Sequence, residues 1–143
     1  MKSIIEYVRN HGIVLRIENI LKGTDGKLFP YIKEIVESGD FIIIRLKGNI
    51  DSSTIPIFDE DLDDVIEKYL DKHVILNFEQ VERVDSSTLA TLIGLLDNLQ
   101  KAERKLILVK INQTELDERI EISRVGTLFT VYETEEEALK HLT

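Results

Sequence analysis

The chain has no cysteine and no tryptophan, and only one methionine and two prolines in 143 residues. Without thiols there is no disulfide framework, thiolate zinc site, iron–sulfur centre or cysteine nucleophile. A domain of this length buries about 68–70% of the surface its unfolded chain exposes, so it needs no such staple. Basic residues are also in deficit: 18 Lys and Arg against 27 Asp and Glu give a formal charge of −9. Nucleic acid or an anionic membrane would be repelled. No apolar run approaches the ~18–20 residues of a membrane helix. The opening MKSIIEYVRNHG places charges where a signal peptide is purely apolar. No Gly-x-Ser-x-Gly elbow and no Gly-rich phosphate loop occurs, and His11, His73 and His141 are isolated. The expectation is a cytoplasmic, non-enzymatic protein with no catalytic residue, metal or cofactor.

What is present is a regular alternation of apolar patterns. With 43% hydrophobic and 31% charged residues the chain is globular rather than disordered. The polar cluster Lys22–Lys27 separates a first segment from the rest. Residues 1–28 are therefore read as an N-terminal extension, predicted helical although Gly12 interrupts it and Ile13-Val14-Leu15 suits a strand equally. Residues 29–143 are read as one domain. Tyr31–Val36 and Phe41–Leu46, around Glu37-Ser38-Gly39-Asp40, predict a hairpin. Phe58, Leu62, Val65, Ile66 and Tyr69 recur at helical spacing, with Ser53 or Thr54 as cap and Pro56 in the first turn. Val74–Phe78 and Leu106–Val109 read as strands buried on both faces. A helix is predicted from Ser86 to Ala102. Another opens at Thr114, carries Leu116 and Ile120, and ends near Gly126. Thr127–Tyr132 alternates as a strand, and Thr134 with Glu137 forms a capping box for a last helix to Leu142. Strand and helix alternating in this way specify an α/β sheet with helical crossovers.

Asp-Ser-Ser-Thr occurs twice, at Asp51–Thr54 and at Asp85–Thr88. Each copy follows an apolar run and precedes an amphipathic helix. Ser, Thr and Asp are ordinary helix-capping residues, so capping is the simplest role for both. If the two preceding strands are parallel neighbours, however, both loops lie together on the carboxyl edge of the sheet, where sites collect. The first turn of the helix after Ser86 would then tolerate an anion on a hydroxyl there.

The surrounding pieces bear on this. An apolar strand ends in Leu46-Lys47-Gly48-Asn49-Ile50-Asp51, and Val74–Val81 is followed by Val84-Asp85-Ser86-Ser87 and its apolar helix. Lys105–Val109, Gly126–Phe129 and Val131–Leu139 come next in order. Together these resemble the STAS domain, and within it the bacterial anti-sigma factor antagonists, from about Phe29 to Leu142. The resemblance implies a mixed sheet of about five strands covered by helices, and a non-enzymatic partner switch. The partner would be an anti-sigma factor with serine kinase activity. Ser87 would be the phosphoacceptor, with Ser86 and Thr88 as lesser candidates. Asp51, Ser52, Ser53, Asp85, Ser86, Ser87 and Thr88 would face the partner. Thr88 and Ala90 stand where that family commonly has glycine. The stiff Thr88 is expected to narrow access to Ser87 and to offer a competing hydroxyl. The N-terminal extension lies outside the resemblance and is a candidate self-association element for a homodimer.

Other readings remain open at this stage. A STAS scaffold or subunit of a signalling or transporter-associated complex would share the fold without phosphorylation. Asp85 could instead be the phosphorylated aspartate of a receiver-like phosphotransfer protein, with Lys110 as its lysine. Asp59–Lys72 holds seven acids (Asp59, Glu60, Asp61, Asp63, Asp64, Glu67 and Asp71), read as a solvated face favoured by the helix dipole. Phe41, Phe58, Phe78, Phe129 and Tyr69 are read as core packing.

Overall fold

The computed structural model of the chain describes residues 13–15, 29–111 and 129–142. Six strands form one sheet in the order β1-β2-β3-β4-β5-β6. They are β1 Ile13–Leu15, β2 Ile32–Ser38, β3 Phe41–Ile50, β4 His73–Val84, β5 Leu106–Val109 and β6 Thr130–Tyr132. The described helices are α1 Ile55–Lys68, α2 Ser86–Lys101 and α3 Glu135–Leu142. The first two strand pairings are antiparallel and the remaining three parallel. The five strands expected of the domain are β2–β6. The sixth comes from the N-terminal extension, where Ile13–Leu15, a segment that suited a strand as well as a helix, pairs antiparallel with β2 and brings Leu15 opposite Ile35. The rest of that extension, with its proposed role in self-association, lies outside the described residues. So does the helix expected from Thr114 to Gly126.

Strand alternation builds two cores. On one face Ile42, Ile44 and Leu46 of β3, with Leu76 and Phe78 of β4, pack beneath Phe58, Leu62 and Val65 of α1 and Leu92 and Leu99 of α2. On the other, Phe41, Ile43, Ile75, Ile107 and Val109 meet Ala138 and Leu139 of α3. Each large apolar side chain withdrawn in this way contributes about 1.5–3 kcal/mol. Phe41, Phe58, Phe78 and Phe129 are all buried, as the pattern predicted, and Tyr69 is half-buried. The β2–β3 loop turns on Gly39, whose φ of +57° suits the first central position of a two-residue hairpin loop.

The acidic helix departs from expectation in two respects. Its first turn holds no acid, so the dipole, which acts within that turn, gains little from them. Asp61 is also fully buried. Three residues after Phe58 and four before Val65, it falls on the inward stripe rather than on the solvated face.

Asp63 lies on the exposed side, four residues from both Asp59 and Glu67. Partial burial, and then the charges of Asp59, Glu67 and Asp64, raise its pKa above the ordinary aspartate value. A carboxyl raised on folding favours the protonated native state. Its ionisation therefore costs stability as pH climbs through the unfolded value of about 3.9 and on through the folded one. Asp63→Asn should add about 0.2–0.5 kcal/mol at neutral pH, the scale of like-charge pairs at this spacing. The gain should disappear below about pH 3, where the raised Asp63 carboxyl is itself protonated and carries no charge to remove. Urea unfolding at the two pH values measures both.

Candidate functional site

β3 and β4 are parallel neighbours, and their register brings Ile50 opposite Val84. Both Asp-Ser-Ser-Thr turns therefore emerge side by side on the carboxyl edge of the two longest strands. Gly48 helps to set this up. Its φ of +80° accompanies a register shift between Gly48 and Asn49, which bends the end of β3 before the first turn.

The two turns repeat one hydrogen-bond pattern. In the first, Asp51 Oδ1 accepts from Ser53 N (3.0 Å) and Ser53 Oγ (2.6 Å). Asp51 N donates to Thr54 Oγ1 at 3.0 Å, and that hydroxyl donates to Asn49 O at 2.9 Å. In the second, Asp85 Oδ1 accepts from Ser87 N (3.0 Å), Ser87 Oγ (2.5 Å) and Thr88 N (3.4 Å). Asp85 N donates to Thr88 Oγ1 at 3.3 Å, closing a reciprocal capping box on α2. The capping role read from the motif is thus real at Asp85. Thr54 occupies the cap position of α1 without a side-chain bond to that helix, because its hydroxyl is spent on β3 and Asp51.

Two bonds fasten the turns to each other. Ser52 N donates to Asp85 Oδ2 at 3.1 Å, across 33 residues of sequence. Thr88 Oγ1 donates to Ile50 O at 2.6 Å. Asp85 therefore uses one oxygen to cap its own helix and the other to hold the neighbouring loop. Ser52, Ser53 and Ser86 are exposed, and Asp51, Asp85 and Ser87 are half-buried at the rim.

Thr88 was expected at the surface, as a partner contact and as a rival hydroxyl to Ser87. It is instead fully buried, and its oxygen is occupied between Ile50 O and Asp85 N. The side chain turns inward, because at the third helical position it points down onto the sheet. Ala90, the other departure from glycine, faces solvent. What sequence reasoning missed is the role of Thr88 and of the Ser52 amide in joining the turns. Duplication of the motif was the available signal, since two identical turns on adjacent strands invite a cross-connection.

The electrostatics favour ionised acids at this edge. Burial works against ionisation of Asp85, but hydrogen bonds from Ser87, Ser52 and Thr88 outweigh it and lower its pKa. Asp51 is lowered chiefly by the Ser53 hydroxyl, despite burial and the nearby Asp85 charge. A depressed carboxyl stabilises the fold above its unfolded pKa and loses that contribution as pH falls through the folded value. The edge thus carries two negative charges at neutral pH. Among the described residues no cluster of His, Asp or Glu could hold a metal ion. A cavity of about 310 Å³, lined by Leu96, Gln100, Arg104, Lys105, Leu106, Ile107 and Thr130, opens at the amino end of β5, at the opposite edge. There Arg104 donates to the carbonyls of Lys72 and Tyr69, closing off the end of α1.

A mixed sheet with helices on both faces and paired hydroxyl-rich turns on one edge defines a small α/β domain. Residues 33–138 match the STAS domain model, and the chain belongs to that family. Solved structures share the fold. A putative anti-sigma factor antagonist from Thermotoga maritima aligns with a TM-score of 0.61 at 20% identity, over 79% of this chain and 92% of that one. An anti-sigma factor antagonist from Mycobacterium paratuberculosis gives 0.63 at 19%, over 75% and 89%. The phosphorylated form of the Bacillus cell fate determinant SpoIIAA gives 0.56 at 22%, over 76% and 97%. Among the described residues no helix is long and apolar enough to cross a membrane.

Proposed function

We propose that this STAS domain is an anti-sigma factor antagonist: it binds an anti-sigma factor with serine kinase activity, and phosphorylation of Ser87 by that partner ends the association. The observation that carries the reading is the position of Ser87. Its hydroxyl stands at the rim of the carboxyl edge, in the first turn of α2 and hydrogen-bonded to Asp85. Ser52, Ser53, Asp51 and Ser86 surround it within the same partner-facing surface. A phosphate adds about −1.5 to −2 charges at neutral pH. Beside Asp51 and Asp85 it turns a mildly acidic patch into a strongly acidic one, which repels acids of the partner and raises the desolvation cost of docking. A coupling of about 1–3 kcal/mol changes affinity 5–150-fold, enough for a switch. That SpoIIAA has been solved in a phosphorylated form supports the same chemistry here. The domain acts by binding and supplies no catalytic group of its own.

The receiver-like alternative is disfavoured by Asp85 itself. Both of its oxygens are engaged in holding the two turns by hydrogen bonds from neighbouring amides and a hydroxyl, which makes the carboxylate a poorer nucleophile than a free one. Lys110, at the end of β5, faces Glu133 at 3.5 Å.

Incubation with the cognate kinase and ATP, followed by peptide mapping, tests the assignment. The phosphate is expected on Ser87, with labelling abolished in Ser87→Ala. Label on Ser53 or Ser86 with Ser87 untouched would refute the residue, and no label from any encoded serine kinase would refute the switch. Equal binding of the anti-sigma factor to both forms would favour the scaffold reading.

A further inference from the structure

We infer that Asp85 is a relay: a phosphate on Ser87 dislodges its carboxylate from both turns and thereby releases the Ser52 amide of the Asp51–Thr54 turn, leaving the rest of that turn and the sheet beneath unchanged. This deepens the proposed function and rests on Ser87 being the phosphoacceptor.

The argument begins with what one carboxylate holds. Asp85 Oδ1 accepts the Ser87 hydroxyl proton together with the Ser87 and Thr88 amides, while Oδ2 accepts the Ser52 amide of the other turn. In phosphoryl transfer the Ser87 O–H bond breaks, the oxygen bonds to the γ-phosphorus of ATP, the bond from phosphorus to the ADP oxygen breaks, and the proton leaves to a base. The ester oxygen keeps no hydrogen to donate. Asp85 therefore loses its shortest bond and gains a doubly charged neighbour.

Competition for the helix end acts in the same direction. The first-turn amides of α2 prefer the stronger anion, so phosphate oxygens displace Oδ1 from the Ser87 and Thr88 amides. Repulsion then turns the carboxylate outward, and Oδ2 moves with it. The Ser52 amide is left to water.

The disturbance is confined by the remaining bonds. Thr88 Oγ1 still holds Ile50 O, in buried surroundings. Within the first turn, Ser53 N remains on Asp51 Oδ1, and Thr54 N and Ile55 N on Asp51 O. One amide of the four is thus singled out. Ser52 changes state while its three successors do not. The consequence for recognition is that the partner meets a surface altered at two turns, although only one is modified.

The experiment uses the full chain with phosphoserine installed at position 87 by genetic encoding, so no kinase is needed. Amide hydrogen exchange and chemical shifts are read by NMR. The Ser52 amide should exchange about ten-fold faster or more than in the unmodified protein, with Ser53, Thr54 and Ile55 unchanged. Asp85→Asn, which keeps a side-chain acceptor but not the charge, should lose the response of Ser52 to phosphate. Phosphoserine at the exposed position 86 should leave Ser52 alone. If Ser52 is equally protected with and without phosphate at 87, the relay is wrong, even if the kinase labels Ser87 and the partner is released. If Ser52 responds but no kinase labels Ser87, the proposed function fails and the relay stands.

Discussion

Arg45→Met should cost about 3 kcal/mol of unfolding free energy, the low end of what breaking a buried ion pair costs. Arg45 interrupts the apolar run of β3 and points to the sheet face covered by α3. Its guanidinium donates to Glu135 through Nε (2.9 Å) and Nη2 (2.7 Å), and to Glu34 through Nη1 (2.6 Å). Asn77, buried on β4, also donates to Glu135. Burial by itself would lower the Arg45 pKa, but the bonds and charges of Glu135, then Glu34, more than reverse it and raise it above its ordinary value. The side chains are only 15% exposed for Arg45 and 8% for Glu135, so removing the cation leaves carboxylates with little access to water. Adding Glu34→Gln and Glu135→Gln to the variant should recover most of the loss, because the stranded charges go with the arginine. Urea unfolding of the single and triple variants tests this. A single-variant loss under about 1 kcal/mol would show that the network behaves like a screened surface bridge.

Thr88→Val should cost about 2 kcal/mol, whereas Thr54→Val in the matching turn should cost well under half as much. The two substitutions are isosteric, and each removes a hydroxyl that accepts from the aspartate amide three residues back and donates to a carbonyl at the end of β3. They differ in surroundings. Thr88 is fully buried, and so is its bond to Ile50 O, a carbonyl that loses a partner water does not easily replace. Withdrawing a partner from a buried polar group costs about 1–3 kcal/mol. Thr54 is half-buried, and its bond to Asn49 O is exposed; water takes over there. Thr88→Ser, which keeps the hydroxyl, should restore most of the loss. Equal costs at the two positions in thermal or urea unfolding would refute burial as the deciding factor.

Much of the architecture was legible because it depends on period. Phe41–Ile44 and Val74–Leu76 are apolar on successive residues, as a strand buried on both faces requires, and β3 and β4 have a core on each side. The end of β4 was not legible. Glu79, Gln80, Glu82 and Arg83 are exposed and break the apolar run, although pairing with β3 carries the strand to Val84. Asp61 was misjudged because residue type outweighed phase: an aspartate among six other acids looks solvated, yet its place on the helix faces the core. At the candidate site, the motif indicated caps and the strand order indicated proximity. The bonds across the turns were beyond reach, since their partners are a backbone carbonyl and a backbone amide, which any residue supplies. Arg45 and Glu135 are 90 positions apart, and nothing in the chain fixes which acid an isolated arginine will meet.

The buried threonine at the start of α2 has a consequence for the speed of recognition. Where glycine would leave that turn loose, a stiff side chain bolted to the adjacent strand would give the partner proposed above an already shaped target. Little rotamer freedom would remain to be surrendered on contact, so an encounter at the proposed surface would be governed by diffusion and charge steering rather than by a search among loop conformers.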